Sequence, residues 1–223
     1  MPALLARVAA NLIHNIKTKH MVLLPKIEAS IKTLPVDSIP LERRELLKLL
    51  IDYVQDKKNE GVVPRLNFIC THNSRRSQLS QIWAKTAADY FGVDVETFSG
   101  GVEVTAFNER AVAAIERAGF KVTEKANGSN PIYFVSNQKP GDPITAFSKV
   151  YDDTTNPNAE FAAVMTCSDA DENCPFIPGA EARLPIRYED PKAFDNTPEE
   201  AARYDERSRQ IATEMCYVFS EIK

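Results

Sequence analysis

The sequence predicts an α/β fold: a three-layer sandwich around a mostly parallel central sheet, preceded by a helical N-terminal extension. Three observations carry this. From Arg65 onward, short apolar runs alternate with stretches of helical periodicity. One of those runs, "FAAVMTC", is a continuous apolar strand. Before Val63-Pro64 the spacing is helical only, which places the extension at residues 1–63 and the main domain at 64–223.

The extension opens with Leu4, Leu5, Val8, Leu12, Ile13 and Ile16 on one helical face, and with no acidic residue up to Ile27. This reads as an ordinary N-terminal helix, or as sequence upstream of a start at Met21, in preference to an organelle transit peptide. Val22, Leu23, Ile27, Ile31 and Leu34 then have helix spacing. Leu46, Leu47, Leu50, Ile51 and Val54 make a second helical stripe, entered at Ser38 and Pro40 and ended by "QDKKNEG". These apolar faces require burial against the following domain or a partner.

In the main domain "RLNFIC" predicts a strand and "SQLSQIWAKTAADYFG" a helix ending at Gly92. "VDVETFSGG" predicts a strand with a glycine turn. "NERAVAAIERAGF" predicts a helix with Ala111, Ala114, Ile115 and Ala118 inward and Gly119 at its end. "PIYFVS" and "ITAFSKVYD" predict two strands around "NQKPGDP". The last helix is entered through Thr197 as N-cap, Pro198 in the first turn and Glu200 in the capping-box position, and buries Ile211, Met215, Phe219 and Ile222.

Composition narrows the function. The 223 residues, 43% hydrophobic and 26% charged, suffice for one sizeable core with something left over. A formal charge of −4 argues against a general nucleic-acid binder. No apolar stretch is long enough to cross a membrane, and no secretory signal is visible. Four cysteines do not make a disulfide scaffold, so the expected compartment is the reducing cytoplasm. His14 and His20 form no metal-ligand cluster with other residues, and no bound cofactor or metal is expected.

The segment "CTHNSRRS" carries the chemistry. Cys70 ends a strand, Arg76 follows it in a C-x5-R spacing, and a helix begins next. A strand, a tight loop and a helix N-terminus make an anion cradle of inward backbone N–H groups and positive dipole. Its residues are Thr71, His72, Asn73, Ser74, Arg75 and Arg76. Arg76 adds a planar fork suited to a tetrahedral oxyanion. Cradle and guanidinium both favour the Cys70 thiolate, a nucleophile aimed at phosphorus or arsenic. Ser77 is positioned to donate to the sulfur, and Asn73 tolerates the backbone angles that such a loop demands.

C-x5-R-S between strand and helix resembles the low-molecular-weight protein tyrosine phosphatase superfamily, over about residues 65–223. The resemblance implies that Asp190, in "YEDPKAFD", is the general acid that protonates the leaving oxygen and later activates water; read alone, Asp190-Pro191 is a turn signal. Cys167 and Cys174, in "MTCSDADENCPFIPGAE", are similar to the cysteine pair of the thioredoxin-coupled arsenate reductases. That likeness implies that Cys70 is the nucleophile, Cys167 resolves its arsenate adduct, and Cys174 carries the disulfide outward for thioredoxin, polar residues between the pair allowing it to rearrange.

The sequence also departs from that pattern. His72 stands at a usual glycine, Arg75 at a frequent cysteine, and Gln81 where some reductases carry a glutamate that helps to bind potassium, so that ion is not expected. Lys192-Ala193 after Asp190-Pro191 disfavour a ring-binding cleft. Three functions follow: a thioredoxin-coupled arsenate reductase; a phosphatase of the same fold acting on phosphate monoesters through a phosphocysteine; and a non-enzymatic regulator binding an oxyanion or partner. Cys216, on the last helix, is expected in the core.

Overall fold

The computed structural model describes residues 22–126, 128–173 and 176–223. At its centre lie four parallel strands in the order β3-β2-β8-β9, where β2 is Arg65–Cys70, β3 Glu96–Gly101, β8 Phe161–Met165 and β9 Ala180–Leu184. The chain leaves β2 through helix α3 (Arg76–Phe91) to β3 on one side, and β8 lies on the other. The carboxyl end of β2 is therefore the point where the strand order reverses, and in open α/β sheets ligands bind there.

Alternation along the strands splits the sheet between two cores. Leu66 and Phe68 of β2 and Ala162 and Val164 of β8 face a large core shared with α3 and with α6 (Glu200–Ser220). Ile69, Ala163 and Met165 face a smaller core that also contains Cys70, Cys167 and Ala170. Ala170 belongs to a short helix, α5 (Ser168–Asn173), which occupies most of the polar stretch after Cys167.

The N-terminal segment packs on the large core. Ile27 of α1 (Pro25–Ile31) and Leu47, Leu50 and Val54 of α2 (Leu41–Asn59) are buried in the same cluster as Leu66 and Phe68. Arg43 of α2 makes a two-pronged contact with buried Glu214 of α6, at 3.0 and 2.7 Å. Its guanidinium also lies 5.0 Å from the centre of the Tyr188 ring. Val22 and Leu23 do not continue the helical stripe expected of them. They form β1, antiparallel to β6 (Gln138–Lys139). Pro25 explains this: it disfavours helical geometry in the residue before it and is suited to the first helical position. The expected helix before Met21 lies outside the described residues.

A second, antiparallel sheet has the order β4-β5-β7, with β4 Lys121–Ala126, β5 Ile132–Ser136 and β7 Ile144–Ala146. The strand expected from "ITAFSKVYD" stops at Ala146 because its continuation is recruited elsewhere. The Phe147 carbonyl accepts from Gln78 at 2.8 Å, the Lys149 N–H donates to Asn73 at 3.0 Å, and Val150 bridges Gly101. Helix α4 (Glu109–Ala118) has its expected cap at Gly119, and its N-cap is Asn108. Helix α6 starts at Glu199–Glu200, later than expected. Thr197 closes the preceding turn instead, donating to the Phe194 carbonyl at 2.7 Å. The glycines of β3 lie within the strand and not in a turn. A Cβ on Gly100 would stand 2.3 Å from the Tyr151 backbone, and one on Gly101 2.7 Å from the Asn73 nitrogen.

Lys149 is 5% exposed, its ammonium 4.5 Å from the Phe147 ring centre. Burial lowers its pKa from 10.5 to about 8, against the pull of Asp153. Below pH 8 the fold holds this charge at a penalty of about 3 kcal/mol. The penalty is relieved as pH rises from about 8 to 10.5, where the unfolded chain also loses the proton. Lys149→Met, which keeps an apolar stem, is expected to unfold at a higher temperature than the parent at pH 7 and to lose that advantage towards pH 10.5. An advantage independent of pH would assign the gain to packing.

Candidate active site

Cys70 sits at the end of β2, 3% exposed, with its sulfur 3.1 Å from the Ser77 hydroxyl. Ser77 is the second residue of α3 and accepts a hydrogen bond from Asn73 Nδ2 at 2.8 Å. Asn73 has φ +45°, in the left-handed region where asparagine is enriched among non-glycine residues. Its side-chain oxygen accepts from Gln78 Nε2 at 3.1 Å and from the Lys149 N–H at 3.0 Å. This buried network fixes the loop from both sides.

The loop carbonyls face outward and are engaged there. Thr71 O accepts from the N–H groups of Val102 and Glu103, and His72 O from the hydroxyls of Ser148 and Thr105. Asn73 O accepts from Gln78, and Ser74 O from the Asn108 N–H. In a tight turn, carbonyls directed outward leave successive N–H groups directed into the concavity, which is the arrangement of an anion nest. The His72 imidazole turns away, 3.4 Å from Glu103, and the Ser74 hydroxyl donates to Ala106 O at 2.7 Å. The structure thus directs these two side chains outward, while their backbone remains part of the loop.

The two arginines diverge. Arg76 donates to Asp190 Oδ2 at 2.9 Å and to the Tyr188 carbonyl at 3.2 Å, and its Nε is buried without a hydrogen-bond partner among the described residues. Asp190 Oδ1 accepts from the Lys192 N–H at 3.0 Å, capping a turn of 3-10 helix at Pro191–Phe194. Asp190 is thus a turn-capping residue and an Arg76 partner at once. Arg75 donates to the Tyr204 hydroxyl at 2.8 Å and reaches Asp195 at 3.4 Å. Tyr204 is fully buried and donates to Asp195 at 2.7 Å; burial, then Asp195, raises its pKa to about 12.

Cys167 lies two residues beyond the end of β8, fully buried in the same small core as Cys70. Thr71 links the two, its hydroxyl 3.5 Å from the Cys167 sulfur and 2.6 Å from Asp169, to which it donates. Cys174 lies outside the described residues. Burial pushes the Cys216 thiol up to about 12, as suits a core position. The structure therefore brings together Cys70, Asn73, Arg76, Ser77, Cys167 and Asp190. It adds Gln78, Ser148, Asp195 and Tyr204, whose polar side chains carried no distinguishing local pattern in the sequence.

No family model matches the chain. It is similar to the arsenate reductase of Bacillus licheniformis, 28% identical over 154 residues, which are 69% of this chain and 93% of the relative. It is also similar to the arsenate reductase of Bacillus subtilis, 30% identical over 142 residues, 64% of this chain and 84% of that relative. A solved low-molecular-weight protein tyrosine phosphatase from T. tengcongensis covers 71% of this chain and 99% of its own at a TM-score of 0.48 and 15% identity, too loose a likeness to carry weight. On the match to the B. subtilis protein, the chain belongs to the arsenate reductase family.

Proposed function

We propose that the protein reduces arsenate to arsenite through an intramolecular disulfide relay re-reduced by thioredoxin. The observation that supports this best is the joint burial of Cys70 and Cys167 beside Thr71, with Cys70 against Ser77 at the floor of an outward-turned carbonyl loop. The cytoplasm, where thiols stay reduced, is the compartment that suits it.

Arsenate enters the loop and takes the backbone N–H groups and the free Nε of Arg76. The Cys70 thiolate attacks arsenic, an As–O bond breaks, and Asp190 supplies the proton that lets the oxygen leave as water. The Cys167 thiolate then attacks the Cys70 sulfur, and the S–As electron pair stays on arsenic. Arsenic is thereby reduced from As(V) to As(III) while two thiols become one disulfide, two electrons on each side. Cys174, a role that rests on the sequence, attacks Cys167 and frees Cys70. Thioredoxin reduces the Cys167–Cys174 disulfide.

A second reading is favoured by one observation. Beside the loop lies a cleft of about 450 Å³ bordered by Ser74, Arg75, Phe107, Tyr133 and Lys192, more room than an inorganic oxyanion needs. A phosphate monoester would place its organic group there and be hydrolysed through a phosphocysteine, with the same acid and no second thiol.

Cys70→Ser is expected to abolish arsenite release and any ester hydrolysis. Cys167→Ser is expected to lose even the first equivalent of arsenite. Cys174→Ser is expected to release about one arsenite per chain and stop with Cys70 and Cys167 joined, because two thiols supply only two electrons. Single-turnover arsenite assays and peptide mapping of the trapped disulfide measure this. Sustained turnover of Cys174→Ser with thioredoxin would refute the order of the thiols, and ester hydrolysis indifferent to Cys167→Ser and Cys174→Ser, without arsenite release, would favour the phosphatase.

A further inference from the structure

We propose that Arg75 is a positioning residue, which clamps the far end of the acid-bearing segment so that Asp190 stays over the oxyanion loop after Arg76 has been drawn to the substrate. The proposal rests on the reading of Asp190 as the general acid. Segment 188–196 is tied to the end of the loop by consecutive arginines, and Arg110 also touches its far end, at Asn196 (3.0 Å) and Asp195 (3.9 Å). Arg76 holds the near end at the Tyr188 carbonyl and Asp190. Arg75 holds the far end, donating to Tyr204 at 2.8 Å and to Asp195 at 3.4 Å, while Tyr204 closes the triangle on Asp195 at 2.7 Å.

Between Asp190 and Asp195 lie only the four residues of the 3-10 turn. So short a turn has little stability of its own. In this structure the Asp190 carboxylate occupies Arg76, the guanidinium that an oxyanion needs. A two-pronged grip on an oxyanion takes Nη2 together with the free Nε, so it loosens the Arg76–Asp190 pair, and the near anchor weakens at the moment when the acid is needed. The far anchor does not compete with the substrate. The Arg75 side chain is 12% exposed, and the described contacts of its Nε and Nη2 go to Tyr204 and Asp195, its nearest approach to Asp190 being 4.0 Å. A planar fork reaches the hydroxyl and the carboxylate together, which a lysine ammonium on its flexible stem does less well. The same contacts argue against Arg75 as a direct oxyanion ligand.

A double-mutant cycle on the full chain tests this, read as the rate of first-turnover arsenite release, with affinity for inorganic phosphate by titration calorimetry alongside. Asp190→Asn is expected to slow release by about 100-fold or more, the range of a lost general acid. Arg75→Met is expected to slow it by about 10-fold, to leave phosphate affinity unchanged, and to add nothing in the Asp190→Asn background, since residues acting through one another are non-additive. Asp195→Asn, which keeps the volume, is expected to reproduce Arg75→Met, and Arg75→Lys to recover little. Multiplicative losses, or a fall in phosphate affinity matching the fall in rate, would overturn the clamp and make Arg75 an independent or direct contributor. Asp190→Asn without effect would remove the acid and the clamp together. A parent that releases no arsenite defeats the reductase reading alone, and the cycle is then read on phenyl phosphate hydrolysis, where the same pattern is expected. A parent inactive in both reactions removes the acid and the clamp.

Discussion

The site depends on the buried side chain of Asn73. A non-glycine residue at φ +45° is strained by about 1–2 kcal/mol, and it stays there only because its surroundings hold it. The amide does this with every group it has. Nδ2 reaches Ser77 on α3, and Oδ1 accepts from Gln78 and from the Lys149 backbone. Three bonds worth about 1 kcal/mol each offset the strain. They also couple three pieces of chain: the loop that bends over Cys70, the helix whose N-terminus closes it, and the segment that leaves the second sheet at Ala146. With that residue in that conformation the loop turns its carbonyls outward, to the donors that engage them.

The rest of the fold brings these pieces within reach. A parallel sheet buried on both faces sends β2 through the middle of the molecule and ends it at the switch between β3 and β8. Glycines at 100 and 101 let the Tyr151 backbone and the loop approach β3 more closely than any side chain would permit. The small core under the site contains both Cys70 and Cys167, so the floor of the loop and the second thiol share one packed cluster. On the opposite face α2 pins α6 through Arg43 and Glu214 and lays the Arg43 guanidinium against Tyr188, two residues before Asp190. The N-terminal segment thus touches the element that carries the proposed acid, although none of the proposed chemistry is its own.

What could be read in advance was local. "RLNFIC", the helix that Gly92 ends and the helix that Gly119 ends each declare themselves within a few residues, through apolar periodicity and a left-handed cap. C-x5-R-S marked the loop for the same reason. The errors were tertiary. A two-residue strand such as Val22–Leu23 has no pattern of its own and exists through its pairing with Gln138–Lys139. β4, "KVTEKA", is largely exposed and has no apolar face to reveal it. The strand through Phe147 was cut short by Gln78 and Asn73, far earlier in the chain. The partners of Arg75 were out of reach for the same reason, Tyr204 being 129 residues away.

On the proposed reading, the loop holds a tetrahedral oxyanion directly above the Cys70 sulfur. The most direct measurement is the rate at which iodoacetamide labels each cysteine, followed by mass spectrometry with and without inorganic phosphate. Phosphate is expected to slow labelling of Cys70 in proportion to occupancy, while Cys216, buried and raised to about 12, stays unlabelled in the folded protein throughout. Labelling of Cys70 at an unchanged rate in saturating phosphate would contradict it.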